Sequence, residues 1–242
     1  MDAGQQGRLA PDGSGRQNRE SLHVFVDGFR PDYNPEGAAE QVTYAFNDQH
    51  AAKLILGQFV LDELSLDTND PFLLGAQLRF DSKWNKHLQS SLGIAGLLIS
   101  GAGNLVNSTV PNQNRGNTRT PDGALASRFN PIVVDGSVTY FVNTFPLHHG
   151  PFPINLAAES LRNPAADSQN YGYNAGITFG KAGKKGTWEL SYRWVYLGAD
   201  AWYEELVESE FGAFYEVQQT GAGFASSTNS IPFQNWAFFP WS

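Results

Sequence analysis

Long runs in which apolar and polar residues alternate constrain this chain more than any other feature of its sequence. The clearest run covers residues 187–202, where Trp188 and Leu190 would share one face of a strand and Glu189 and Ser191 the other. Successive side chains of a β-strand point to opposite faces of its sheet, so this pattern predicts strands with one apolar and one polar face. We therefore predict an all-β chain.

About nine segments of the chain are predicted to be strands. They cover residues 41–47, 51–64, 71–81, 88–100, 137–147, 152–162, 171–180, 187–202 and 213–223, with a weaker candidate at 22–29. Most are longer than the roughly 5–6 residues usual in soluble sheets and close to the roughly 9–11 that cross a bilayer on a tilt.

The predicted connections between these segments alternate between short and longer ones. The short set comprises residues 47–50, 84–87, 148–151 and 181–186, and the longer set comprises 62–70, 102–133, 163–170 and 203–212. Transmembrane β-barrels have short turns at one end and longer loops at the other. The connection lengths therefore favour an antiparallel transmembrane β-barrel built as a meander.

Composition excludes several functional classes. The 242 residues carry a formal net charge of −8, whereas a nucleic-acid binder presents a positive field. The chain has no Cys, which excludes disulfides, Cys-based zinc sites and Cys nucleophiles. The most apolar window, residues 92–106, is too short for a membrane-spanning helix, and residues 1–20 contain no apolar stretch of the kind a signal peptide needs.

Several of these runs resemble the putative porins of Gram-negative bacteria. The resemblance covers about residues 51–220 and rests on LILGQFVLDEL (54–64), DPFLLGAQLRFDSKWN (70–85), VTYFVNTFPL (138–147) and residues 162–203 and 197–217, of which 162–203 is the most specific. It implies a β-barrel in the outer membrane of a Gram-negative bacterium, in contact with membrane lipid, that lets small hydrophilic solutes or ions diffuse passively. It implies no catalytic residue, metal or cofactor.

The two ends of the chain depart from that pattern. Residues 1–38 are predicted to be a disordered or non-native segment, 39–224 the β-barrel porin region, and 225–242 an irregular tail. In the tail, Pro232 and Pro240 interrupt the alternation, and the expected signal peptide is absent. Bacterial single-chain barrels have even strand numbers, so about nine strands predict a fragment that lacks strands on both sides.

Two sets of strand residues carry the functional prediction. An Arg or Lys meets water on the lumen face of a barrel but costs about 2–4 kcal/mol at the middle of the lipid face, so the polar faces are predicted to line the pore. The pore-lining candidates are Gln77, Arg79, Asp81, Asn155, Glu159, Asn174, Thr178, Glu189, Ser191 and Arg193. The lipid-facing aromatic candidates are Phe72, Phe80, Tyr171, Tyr173, Phe179, Trp188, Tyr192, Trp194 and Tyr196.

Motifs that suggest chemistry fit structural roles better. Neighbouring histidines on a turn, as in the His148–His149 pair, point apart and make a poor metal site. Residues 62–70 are acidic but lack the Gly and the spacing of a calcium loop, and residues 180–187 lack the spacing of a phosphate loop. We predict that the protein is not an enzyme and holds no metal or cofactor.

Other functions stay open at this point. A barrel with a structural rather than a channel role has the same alternation, and so does a soluble β-sandwich or solute-binding module, because alternation does not show which face points inward. The sequence also leaves open the solute, the ion selectivity, the full strand number and the oligomeric state, a homo-oligomer included. Whether residues 102–133 fold into the pore is open too.

Overall fold

The computed structural model of the chain describes residues 9–11, 36–61, 70–105, 116–183, 185–207 and 237–238, and it is all-β as predicted. Its strands are β1 (Leu9–Pro11), β2 (Glu36–Ala45), β3 (His50–Val60), β4 (Phe72–Lys83), β5 (Leu88–Ser100), β6 (Ile132–Val142), β7 (Phe152–Arg162), β8 (Tyr171–Gly180), β9 (Glu189–Leu197) and β10 (Ala237–Phe238). Short 3-10 turns at Ala102–Asn104 and Glu204–Leu206 are the only helical elements among these residues. None of the helices in the described ranges is long and apolar enough to cross a membrane.

The strands form one antiparallel meander, in which each strand pairs with the next one along the chain. The predicted antiparallel meander is therefore confirmed over the long strands β2–β9. At the edges, β1 pairs with β2 and β10 pairs with β9. In the described part of the chain these edge strands do not pair with each other, so the sheet is open there and is not closed into a barrel.

Strand boundaries agree with the sequence pattern where alternation is regular. The observed bounds of β5, β7 and β8 coincide with the predicted segments 88–100, 152–162 and 171–180. The prediction was wrong for β6, which covers Ile132–Val142 instead of 137–147. Pro146 has no N–H for the strand ladder, and Leu147 has a φ of 60°, so the chain turns where the strand was predicted to continue.

Other boundaries differ by a few residues. β1 and the start of β2 at Glu36 lie inside the segment 1–38, which was predicted to be disordered or non-native. β9 ends at Leu197 instead of 202. The candidate strands at 22–29 and 213–223 lie outside the described residues.

The pairing register divides the long strands into two faces, because directly paired residues lie on the same side of a sheet. One row of partners runs Lys53, Arg79, Gly93, Asp135, Glu159 and Asn174, and its side of the sheet is called the polar face. The neighbouring row runs Leu54, Leu78, Ile94, Val134, Ser160 and Tyr173, and its side is called the apolar face. The alternation in the sequence thus becomes two chemically distinct surfaces.

A hydrophobic core covers one end of the polar face. Strand residues such as Ile55, Leu97 and Val133 are buried there beneath Phe129 and Trp202, which belong to the connections after β5 and β9. This is the end at which residues 61–71, 101–131 and 163–170 join consecutive strands. The described residues of these connections therefore fold onto the sheet instead of extending away from it.

A cluster of aromatic rings lies at the opposite end of the sheet. The ring centroids of Phe145 and Phe152 are 3.9 Å apart, and those of Phe152 and Trp188 are 5.0 Å apart. The His148 ring contacts Phe152 edge-on at 5.1 Å. Trp188, predicted within a strand, lies one residue before β9 and packs in this cluster.

We expect the substitution His148→Phe to raise the free energy of unfolding by about 1 kcal/mol. His148 is buried, and neither ring nitrogen has a hydrogen-bond partner in the described part of the chain, so an apolar ring removes a desolvation cost. The matched control is His87→Phe, because the Nδ1 atom of His87 bonds to the carbonyl oxygen of Phe141 at 2.8 Å. Denaturant titration should give changes of opposite sign, and a loss of stability in both variants would contradict the explanation.

Candidate functional site

Charged side chains form a connected network on the polar face. Asp81 accepts from two cations: its Oδ2 lies 2.7 Å from Nζ of Lys53 and its Oδ1 lies 2.9 Å from Nε of Arg79. A terminal nitrogen of Arg79 also lies 3.8 Å from Oδ1 of Asp135, which belongs to β6. The network therefore crosses four neighbouring strands, β3 to β6.

Gly93 makes the crossing from β4 to β6 sterically feasible. It pairs with Arg79 on one side and with Asp135 on the other. A Cβ atom at position 93 would overlap a carboxylate oxygen of Asp135. With only a hydrogen there, the Asp135 side chain leans across β5 and accepts a hydrogen bond of 3.1 Å from Nε2 of Gln77.

We expect Gly93→Ala to destabilise the fold by about 1 kcal/mol relative to Gly96→Ala, as measured by denaturant unfolding. The new methyl group would displace the Asp135 carboxylate from its hydrogen bond with Gln77. Gly96 is a matched control because it lies on the same strand and an added Cβ there meets no atom within 4 Å. Equal effects of the two substitutions would show that the network contributes little.

Further hydrogen bonds continue the polar face toward β9. They join Ser91 to Ser137 at 2.9 Å, Asn155 to Thr139 at 2.8 Å, Asn174 to Glu159 at 3.3 Å and Thr178 to Ser191 at 3.0 Å. Each pair bridges neighbouring strands, so the polar groups satisfy one another across the sheet. These side chains are partly exposed and can also bond to water or to a passing solute.

The structure brings the predicted pore-lining residues together on this one face. All ten candidates, Gln77, Arg79, Asp81, Asn155, Glu159, Asn174, Thr178, Glu189, Ser191 and Arg193, have polar-face positions in the register. Sequence reasoning did not include Lys53, Asp135 and Thr139 among these candidates, although all three lie on the same face. Lys53 stands in a segment that is apolar on both faces, and Asp135 stands between the predicted connection 102–133 and the predicted strand 137–147.

The opposite face of the same strands is apolar and, in the described part of the chain, uncovered. Large side chains remain exposed across it, with Leu92 at 61%, Leu156 at 56% and Leu78 at 55% of their full accessibility. Apart from Arg162, the last residue of β7, no Asp, Glu, Lys or Arg of β3–β9 lies on this face. Eight of the lipid-facing candidates lie here: Phe72, Phe80, Tyr171, Tyr173, Phe179, Tyr192, Trp194 and Tyr196.

Aromatic residues of the apolar face concentrate toward the two strand ends. Toward the turns at 46–49, 84–87 and 181–186 they are Tyr44, Phe46, Phe80, Trp84, Tyr140 and Phe179, and toward the opposite end they are Phe72, Tyr171, Tyr173 and Tyr196. Tyr192 and Trp194 are exceptions that flank the midpoint of β9. Between them lie aliphatic residues such as Leu54, Leu78, Ile94, Val134 and Leu156. On β4, Phe72 and Phe80 are about 26 Å apart along the strand, or roughly 20 Å in height at a barrel-like tilt.

Comparison with protein-family models, with curated proteins and with solved structures finds no match for this chain. The functional argument therefore depends on the chemistry of the two faces and on the connections that cover one of them.

Buried polar contacts join the connection after β5 to the connection after β9. The Glu204 carboxylate accepts from the backbone N–H groups of Gly116 at 2.7 Å and Asn117 at 2.9 Å, and from Nε of Arg119 at 3.0 Å. The Asn117 amide donates to the carbonyl oxygens of Ala199 at 2.6 Å and Trp202 at 2.8 Å. We call this set, centred on Asn117, Arg119 and Glu204, the clasp.

Asn163 adds a third connection to the same assembly. Its Nδ2 donates to the carbonyl oxygens of Arg128 and Asp200, both at 2.8 Å. Its Oδ1 accepts from the backbone N–H of Asn130 at 3.1 Å. The described residues of the connection after β5 are thus folded onto the polar face and fixed to both later connections.

The described ranges contain no cluster of side chains that could bind a metal ion. No group of three or more His, Asp or Glu side chains there is arranged to hold a metal ion. The predicted acidic loop at 62–70 lies almost entirely outside the described residues.

Proposed function

We propose that this chain forms part of an outer-membrane β-barrel of the porin type, through which small hydrophilic solutes or ions diffuse passively. The observation that carries the proposal is the apolar face, which exposes large side chains over the eight strands β2–β9. Arg162 is its only charged residue on β3–β9, and β2 adds Glu36 and Glu40. Soluble monomers rarely expose large contiguous apolar patches. A lipid environment explains this face, because it removes the cost of exposing apolar groups to water.

The strand lengths support a membrane span. β2–β9 contain between 9 and 13 residues each. Tilted strands of about 9–11 residues cross the hydrocarbon core of a bilayer. The aromatic residues toward both ends of the apolar face would then lie near the two interfaces, where tyrosine and tryptophan place a polar group in water and a ring in lipid.

Under this proposal the polar face lines a water-filled passage. Its charges of both signs lie on strands that are neighbours in the sheet, with Lys53 and Arg79 on β3 and β4 and Asp135 and Glu159 on β6 and β7. A solute would exchange its hydration shell for contacts with these groups without any chemical step. The unpaired edges of the sheet would have to be closed by further strands, since each unsatisfied backbone group costs several kcal/mol in lipid.

The covered end of the polar face favours a second candidate, a barrel with a structural role and no open passage. Both candidates place the apolar face in lipid, and they differ in whether ions cross.

The experiment that separates them uses the full-length protein extracted in detergent from the cells that make it and inserted into planar bilayers. A porin should give discrete, ohmic conductance steps whose number rises with the amount of protein. Protein that inserts into vesicles without conducting would support the structural barrel, and protein that stays in the aqueous phase without detergent would contradict both candidates.

A further inference from the structure

Side-chain contacts fix the described residues of the connections over the polar face, and these residues have little regular secondary structure of their own. In the described residues 116–131 and 198–207, the regular secondary structure consists of one 3-10 turn at Glu204–Leu206 and an isolated β-bridge between Arg119 and Leu125. The Arg119–Glu204 ion pair is almost inaccessible, with side-chain exposures of 5% and 1%. Arg119 also donates to the carbonyl oxygens of Leu105 at 2.9 Å and Gly123 at 2.8 Å.

In the clasp, each connection both donates hydrogen bonds to the other and accepts them from it, so the two connections form a single unit. Glu204 accepts from the backbone of residues 116 and 117, and its own backbone N–H donates to Oδ1 of Asn117 at 2.9 Å. Thr118 adds a backbone hydrogen bond of 2.9 Å to Oδ1 of Asp200. Releasing one connection would therefore leave buried donors and acceptors of the other without partners, so the two would have to move together.

Apolar residues of the polar face lie directly beneath this unit. Ala95, Val133 and Leu161 are almost fully buried in one cluster with Trp202 and Leu206 of the connection after β9. Four residues before Ala95 on β5, Ser91 also lies on the polar face but remains partly exposed. The cover therefore occupies one end of the polar face and leaves the charged part beside it open.

We propose that Asn117, Arg119 and Glu204 set the largest solute that can move along the polar face, by holding residues 116–131 and 198–207 as one closed cover. The proposal rests on the passage function proposed above. The three residues act by positioning the cover and do not contact the solute. With the clasp intact the cover narrows the passage, and with the clasp broken the cover loosens and larger solutes pass.

Thiol labelling tests the cover without any reference to transport. The 242-residue chain has no Cys, so Ala95→Cys and Ser91→Cys each give it a single reporter. With the clasp intact, a water-soluble maleimide should label position 91 and spare position 95. In Glu204→Gln, which keeps the side-chain volume, and in Asn117→Ala, labelling at position 95 should accelerate about tenfold or more, as a loss of about 1.4 kcal/mol in closing free energy requires.

Circular dichroism of the same samples shows whether each variant retains the β-sheet. If Glu204→Gln does not fold, Asn117→Ala still tests the proposal. Equal labelling rates at position 95 with and without the clasp would overturn the proposal, whatever the protein transports. Liposome swelling supplies the second reading, in which the clasp variants should admit larger sugars than the unmodified protein. If the clasp variants and the unmodified protein admitted sugars up to the same size, the proposal would also be overturned. If no variant caused swelling but labelling at position 95 still accelerated, the cover would be supported and the passage function rejected.

Discussion

Replacing Glu204 with Ala is expected to lower the free energy of unfolding by about 3–5 kcal/mol, the largest effect of any single substitution considered. The change leaves the nearly inaccessible Arg119 guanidinium without its carboxylate and removes the acceptor of the Gly116 and Asn117 backbone N–H groups. Urea unfolding in detergent, followed by tryptophan fluorescence, measures the loss, because the buried Trp202 reports on the same region.

Asp122→Ala is the matched control for this substitution. Asp122 is also acidic and lies in the connection after β5, but it is exposed. Its replacement should change stability by no more than about 0.5 kcal/mol. If Glu204→Ala and Asp122→Ala had similar small effects, the clasp would not hold the connections in place.

Leu156→Arg is expected to reduce the free energy of folding into lipid vesicles by about 2–4 kcal/mol, whereas Asn155→Arg costs less than about 1 kcal/mol. The two residues are neighbours on β7, with Leu156 exposed on the apolar face and Asn155 on the polar face. An arginine at 156 would lie among aliphatic groups in lipid, while an arginine at 155 would reach water and the carboxylates of the polar face. Denaturant titration of the vesicle-bound protein measures both values.

The sign and size of the difference between the two variants show whether the apolar face contacts lipid or water. In a soluble sheet with both faces hydrated, each arginine would cost little and the two variants would be nearly equal. In a β-sandwich with its apolar face buried, Leu156→Arg would prevent folding in plain buffer. A difference that appears only in vesicles supports the membrane proposal.

Alternation in the sequence was enough to predict the central part of the fold. The bounds of β5, β7 and β8 and the division of their residues between two faces follow from the two-residue period of a strand. The same period placed Arg79 and Glu159 on one side of the sheet and Tyr173 and Trp194 on the other before any pairing was known. Local pattern succeeds here because each strand has one polar and one apolar face.

The clasp could not be predicted, because its partners are far apart in the chain and have no shared period. Arg119 lies in a long polar stretch and Glu204 in an acidic one, and their pairing spans 85 residues. Lys53 was left out of the candidate set for a different reason. Its segment, 51–64, is apolar on both faces, so the sequence did not assign Lys53 to one of them. The structure explains the second apolar face, because the cover buries Ile55 and Phe59 of this strand.

The β6 shift has a related cause. Residues 132–136 pair with β5 and β7, yet the sequence before them reads as a polar loop that continues into the strand. A turn around Pro146 and Leu147 then ends the pairing earlier than the apolar pattern suggests. Asp135 became visible as a polar-face residue only through the register.

Accessibility along β9 tests the central claim, that the apolar face meets lipid and the polar face meets water, most directly. Single cysteines at Tyr192 and Trp194 on the apolar face and at Ser191 and Arg193 on the polar face would each carry a fluorescent label in the lipid-inserted protein. A lipid-soluble quencher should reduce the signal at 192 and 194, and a water-soluble quencher should reduce it at 191 and 193. Quenching by the lipid-soluble reagent at 191 and 193, or by the water-soluble reagent equally at all four positions, would contradict the account.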